Sequence, residues 1–122
     1  MFRFTILVLA VISMILHAKE ARTVRLNDKK TARILITPGR TTILSFPSKP
    51  TKVILGNRGS FAIEYVEQDL AISALASGVH GNLFVYMEGR RYAFDLTTTP
   101  SGGDEIILVR DSTDMQMPAK FK

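Results

Sequence analysis

Polar and apolar positions alternate with a period of two along most of the chain, and most densely from Gly81 to Leu96, GNLFVYMEGRRYAFDL. Leu83, Val85 and Met87 share one side, with Phe84 and Tyr86 on the other. Beyond Glu88-Gly89, Tyr92, Phe94 and Leu96 share a side opposite Arg91, Ala93 and Asp95. This is the periodicity of strands, in a run rich in aromatic and β-branched residues. A two-residue loop at Glu88-Gly89 would set Val85 opposite Tyr92 and Leu83 opposite Phe94. Such apolar cross-strand pairs contribute about 0.2–1 kcal/mol each beyond their burial. Glu-Gly is a weaker turn than Asn-Gly, because its first position must also accept positive φ. A bulged three-residue loop, which would shift the pairing by one residue, therefore stays open.

The rest of the chain reads as short strands punctuated by turn residues. Arg22 to Leu26 alternates and stops at Asn27-Asp28. Thr31 to Thr37 is closed by Pro38-Gly39, a proline–glycine order that favours a type II turn. Thr41 to Phe46 stops at Pro47-Ser48-Lys49-Pro50, and Lys52 to Leu55 at Gly56-Asn57-Arg58-Gly59. Phe61, Ile63 and Tyr65 alternate with Ala62 and Glu64. Asp69 to Ala76 fits a strand or two short helical turns, and the flanking strands favour the strand. Glu105 to Arg110 follows a loop at Thr97 to Asp104. About eight or nine short strands with turn chemistry between them predict an all-β sandwich or barrel, read here as a single β-sandwich. No amphipathic helix is long enough to cross over a parallel sheet, so the pairing is expected to be mostly antiparallel.

The first eighteen residues follow a different pattern. Arg3 supplies a positive start, Phe4 to Leu16 is apolar apart from Thr5 and Ser13, and Ala18 offers a small residue for cleavage before Lys19. This is the composition of a Sec-type signal peptide, and the run falls short of the roughly 20 apolar residues that span a bilayer. A retained N-terminal anchor is the alternative. The expected organisation is thus a signal peptide over 1–18, a β-sandwich domain over 19–110 and a flexible tail over 111–122. Met115, Met117 and Phe121 are the tail's only apolar handholds.

Composition narrows the chemistry. The 122 residues include no cysteine, which removes disulfides, thiolate metal sites, a cysteine nucleophile and a lipid-modified cysteine. An exported domain of this size must then rely on its apolar core. The formal net charge is +5, and removal of Arg3 with the leader lowers it by one. The basic residues are scattered, from Lys29 and Arg33 to Arg91 and Arg110, which describes a solvated exterior better than a nucleic-acid site; proximity to a membrane or wall surface stays open. His80 is the only histidine beyond the leader, so no histidine pair is available for a metal. No serine sits in a Gly-x-Ser-x-Gly elbow, and neither glycine-rich loop carries the phosphate-loop lysine pattern. The expectation is a protein without catalytic residues, metal or cofactor.

Phe84 and Tyr86 pose the main question, because a strand with one wet face does not usually carry two adjacent aromatics there. One reading is a strand covered on both sides by its own fold. The other is a contact site for a partner, formed by Phe84 and Tyr86 with Arg90 and Arg91. A cation–π contact between Tyr86 and Arg91 would satisfy both without any function.

Several of these segments also resemble a known family. Asn82-Leu83-x-Val85 followed by Arg91, Tyr92, Phe94 and Leu96 is similar to the hairpin of the periplasmic VirB/CagX/TrbG-type subunits of type IV secretion and conjugation machines. Arg22-Thr23-Val24-x-Leu26-Asn27-Asp28 with Ile34 resembles the opening strand and turn of that family's N-terminal domain. Gly39-x-Thr41-Thr42-Ile43-x-x-Phe46 and Val53-x-x-Gly56-Asn57 with Phe61 resemble its next two motifs, in the family's order. The chain departs from the pattern at Gly81, where the family has threonine, at Asn57 for aspartate and at Phe61 for tryptophan. Arg90 rather than Arg91 restores the family spacing of arginine to tyrosine. Family members usually add a second β-domain that builds the outer-membrane ring, and this chain ends soon after the first.

The resemblance implies a periplasmic scaffold module that binds other envelope-complex subunits or copies of itself, as an accessory or minimal subunit. A cell-wall or surface-glycan binding domain, using tyrosines and arginines as contacts, is the alternative.

Overall fold

The computed structural model describes residues 20–112. The leader expected over 1–18, with its cut between Ala18 and Lys19, lies outside the described residues, as do Met115, Met117 and Phe121 of the expected tail. The described chain is all-β, with nine strands. They are β1 (Arg22–Leu26), β2 (Thr31–Ile36), β3 (Thr41–Ser45), β4 (Lys52–Leu55), β5 (Phe61–Val66), β6 (Asp69–Ala74), β7 (His80–Met87), β8 (Arg90–Thr98) and β9 (Ile106–Asp111). The helical alternative for Asp69 to Ala76 is thereby settled as a strand. β9 extends through Asp111, the residue expected to begin the tail.

The strands form a five-stranded sheet in the order β1-β9-β3-β6-β5, here sheet A, and a four-stranded sheet in the order β2-β8-β7-β4, sheet B. The expectation of mostly antiparallel pairing needs correction. β1 and β9, β3 and β9, and β2 and β8 pair in parallel, so both sheets are mixed. The reason lies in the route of the chain. Only β5–β6 and β7–β8 are hairpins within one sheet; every other connection passes from one sheet to the other. Strands of the other sheet then take the place that a crossover helix would take elsewhere, and neighbours far apart in sequence are free to run parallel.

The central hairpin has the two-residue loop and the simple register. Val85 pairs with Tyr92, Leu83 with Phe94 and Tyr86 with Arg91. Glu88 and Gly89 take φ of 45° and 73°, the two left-handed residues of a type I′ turn, whose twist matches that of the flanking strands. Leu83, Val85, Tyr92, Phe94 and Leu96 are fully buried.

Both sheets contribute to one hydrophobic core. Leu44, Leu70, Ile72 and Ile107 from sheet A are as inaccessible as the hairpin residues of sheet B. Phe46, just past β3, bridges the two: its ring lies 6.2 Å from that of Tyr92, stacked, and 6.0 Å from that of Phe94, edge-on. These are favourable aromatic geometries.

Candidate interaction surface

Strand alternation puts Leu83, Val85 and Met87 into the core, and so turns Phe84 and Tyr86 to the outer side of sheet B. Both are half-buried there. Register shows what surrounds them. Phe84 stands between Ile54 of β4 and Ala93 of β8, and Tyr86 between Lys52 of β4 and Arg91 of β8. Ile54 is 40% exposed. The result is an apolar row, Ile54–Phe84–Ala93, beside a row with one aromatic ring between two cations. No second layer of the described chain covers this side, so the expectation of a strand buried on both faces does not hold among the described residues.

The two arginines assigned to this site part company. Arg91 lies on the outer face, and its guanidinium donates to the carbonyl of Asp28 at 2.9 Å. Arg90 turns the other way, with Nη1 3.4 Å from Oδ2 of Asp111. Asp111 is 4% exposed and also accepts the hydroxyl of Tyr92 at 2.8 Å. Burial, and then the bond to Asp111, push the Tyr92 phenol up from 10.0 to about 12, with Arg90 acting in the opposite sense. Arg90 therefore belongs to a polar cluster that closes one end of the core. Lys52 and Ile54 were not legible as part of the surface, because Val53-Ile54-Leu55 is a continuous apolar run whose facing cannot be read from periodicity.

The sheet edges differ in how open they are. On β2, the carbonyl of Arg33 accepts from Arg22, while the amide and carbonyl of Leu35 bond the carboxylate and the amide of Asp104. Those groups cannot pair with an incoming strand. At the opposite side of the molecule, β4 and β5 border a groove of about 280 Å³ lined by Val53, Leu55, Arg58, Ile63 and Tyr65. Tyr65 is 55% exposed.

His80 is exposed, beside Arg33 and Asp95 on the outer face of sheet B. Among the described residues, no three of His, Asp or Glu gather closely enough to hold a metal ion. The arrangement of the outer face, apolar at its centre and cationic at its side, suits contact with a macromolecule. No protein-family model matches the chain, and no curated protein matches it.

Proposed function

We propose that the chain is an exported β-sandwich module that holds other proteins in the periplasm and carries out no reaction. In this reading the two sheets stack face to face over their common core. The module is an accessory or minimal subunit of an envelope-spanning assembly of the type IV secretion or conjugation kind. The observation that carries the reading is the row Ile54–Phe84–Ala93 beside Lys52–Tyr86–Arg91 on the outer side of sheet B, since aromatic side chains and arginine are what protein contact sites concentrate.

The reading has to accommodate the chain's departures from the family motifs. The three positions at which the chain departs from the family motifs lie together. A Cβ added to Gly81 would stand 2.9 Å from the carbonyl oxygen of Gly56, and 3.3 Å from both Asn57 Cβ and Phe61 Cε2. Exchanges of threonine, aspartate and tryptophan at these positions are thus exchanges within one packed cluster, where one change requires another.

The test is retention of native envelope proteins by the immobilised chain, alongside Tyr86→Glu. The reading expects a stoichiometric protein partner that Tyr86→Glu loses while its melting temperature stays unchanged. Equal retention by both forms removes the outer face of sheet B from the proposal. Retention on purified cell-wall glycan, with no protein partner, would favour the glycan-binding alternative, for which Tyr86 between two cations is the relevant feature.

A further inference from the structure

Each sheet ends in two strands with one unpaired side, and these edges are β1, β5, β2 and β4. Proteins that stay apart blunt such edges with charge, proline, short strands or covering groups. β2 is engaged by Arg22 and Asp104. β1 carries Arg22 and Arg25, and the short β4 follows Pro50 and starts at Lys52. β5, Phe61-Ala62-Ile63-Glu64-Tyr65-Val66, has no such device beyond Glu64. Tyr65 is 55% and Val66 52% exposed.

Register shows what this edge offers. The Leu75 amide bonds the Ser60 carbonyl at 2.9 Å, next in line to the pair Phe61 and Ala74. In an antiparallel ladder every second residue then bonds the neighbour, so Ala62, Glu64 and Val66 bond β6. The amides and carbonyls of Phe61, Ile63 and Tyr65 therefore point away from β6, and none of them bonds another described residue. Their side chains share the inner face: Phe61 is buried, and Ile63 and Tyr65 line the groove beside β4.

We propose that β5 pairs antiparallel with β5 of a second copy, about a two-fold axis through Ile63, joining two copies of sheet A edge to edge. Ile63 then faces Ile63 of the second copy, Phe61 faces Tyr65, and Ala62 faces Glu64. The outward amides and carbonyls form about six hydrogen bonds. Aromatic pairs flank the axis on both sides, and each Glu64 stands opposite an alanine. An axis through Glu64 would set the two carboxylates directly against each other, which is destabilising. An axis through Ala62 would set Tyr65 opposite Gly59, outside the strand, and lose both aromatic pairs. Bare amides and carbonyls along an edge are matched by another strand. The run around Ile63 is nearly palindromic (aromatic, small, aliphatic, acidic, aromatic), so one stretch supplies both halves of the match. This favours a second copy over a foreign strand, and each contact occurs twice, as an isologous interface requires. The axis stands perpendicular to the sheet, which keeps both inner faces on one side. Phe61 and Ile63 of the second copy thereby close the open flank of the groove that Val53, Leu55, Ile63 and Tyr65 line. Six residues a side fall short of the roughly 20–30 of a standard interface, so pairing depends on concentration. The inference goes beyond the protein-holding role and stands without the envelope setting.

The experiment combines sedimentation of the full chain over a concentration series with hydrogen exchange and disulfide trapping. The amides of Ile63 and Tyr65 are expected to gain protection as concentration rises. The chain has no cysteine, so a single introduced thiol reports one position. Ile63→Cys sets two Cα atoms about 5.5 Å apart, within disulfide reach, and is expected to give a covalent dimer on mild oxidation. Ala62→Cys leaves them about 8 Å apart and is expected to trap far less. Proline is tolerated on an edge where its missing amide is one the fold does not use. Tyr65→Pro is therefore expected to fold and to raise the dimer Kd about tenfold or more. Tyr65→Lys, which puts a charge on the inner side of the edge at an exposed position, is expected to do the same. A wild-type chain that sediments as a monomer throughout overturns the proposal. So does trapping at Ala62 equal to that at Ile63, or a dimer that survives both Tyr65 variants. Protection of Ile63 and Tyr65 only when a different protein is bound would assign the edge to a foreign strand and overturn it as well. A monomer that still retains an envelope partner defeats this pairing alone, and a dimer that retains none defeats the proposed function alone.

Discussion

The hydroxyl of Tyr92 reaches across the core from sheet B to bond the carboxylate of Asp111 in sheet A at 2.8 Å. Both residues are buried, Tyr92 fully. Arg90, at the start of the same strand as Tyr92, closes on the same carboxylate oxygen. A buried carboxylate is costly unless it is paired and hydrogen-bonded, and here one end of the domain supplies both partners.

Tyr92→Phe is expected to lower stability by about 1–2 kcal/mol, the worth of a hydrogen bond to a charged acceptor. The ring still packs on Phe46, so the loss is polar. Asp111→Ala should cost more, about 2–3 kcal/mol, since it removes the carboxylate that both the Tyr92 hydroxyl and the Arg90 guanidinium face. Arg90 remains partly solvated, which keeps the loss below that of a fully buried ion pair. Urea unfolding of the two variants beside wild type measures both; a Tyr92→Phe variant as stable as wild type would show that the hydroxyl contributes nothing.

The Tyr92 phenol also sets an alkaline limit. Its folded value of about 12 lies above the ordinary 10.0, so between these values the unfolded chain loses the proton that the folded chain keeps. Stability is unaffected by this group below pH 10 and falls above it, by about 1.4 kcal/mol per pH unit until the folded group ionises. Tyr92→Phe should remove that part of the slope. Thermal melts of wild type and variant between pH 9 and pH 11.5 test this, and parallel curves would refute it.

The strands and the central register were readable because both are local. Alternation fixes which side chains share a face, and Glu88-Gly89 is short enough to fix Val85 against Tyr92. Which strands become neighbours is a different matter. Nothing in Thr31–Ile36 announces that it runs beside Ala93–Thr98 in the same direction, since the partner lies some sixty residues away and no hairpin dictates polarity. Asp111 looked like tail for a similar reason: a lone carboxylate reads as solvated until a distant tyrosine and arginine are known to face it. The outer aromatics were evident from spacing alone. Their neighbours on β4 were not, because they depend on β4 and β7 being side by side.

The turn of the central hairpin is suboptimal and therefore improvable. Glu88 holds φ of 45°, a conformation that asparagine accepts more readily than glutamate. Glu88→Asn is expected to stabilise the domain by about 0.5–1 kcal/mol, raising the melting temperature by several degrees. Gly89→Ala, at φ of 73°, should cost about 1 kcal/mol. If both substitutions destabilise, Glu88 holds the turn by a contact of its own and the backbone argument fails.

The loop before β9 should prove the most sensitive part of the chain to a single added methyl group. Gly103 is buried, and a Cβ there would stand 2.7 Å from Thr37 Oγ1, 2.8 Å from Thr37 N and 2.9 Å from the Leu35 carbonyl oxygen. Two of those atoms are backbone and cannot swing aside. The next residue, Asp104, ties three strands together: its carboxylate accepts from Arg22 of β1 and from the Leu35 amide of β2, and its carbonyl from the Thr42 hydroxyl of β3 at 2.6 Å. Gly103→Ala must displace that junction, and a loss of about 2–3 kcal/mol is expected, the upper range for overpacking. Gly59 has nothing within 4 Å of an added Cβ, so Gly59→Ala should change stability by less than about 0.5 kcal/mol. Gly56→Ala falls between them, because the atom its Cβ would run into is Oδ1 of Asn82, the end of an exposed side chain that can turn away. Chemical unfolding of the three alanine variants should rank them 103, 56, 59 in order of loss. Tolerance of Gly103→Ala would mean that the Asp104 junction can move, and that β1, β2 and β3 do not depend on it.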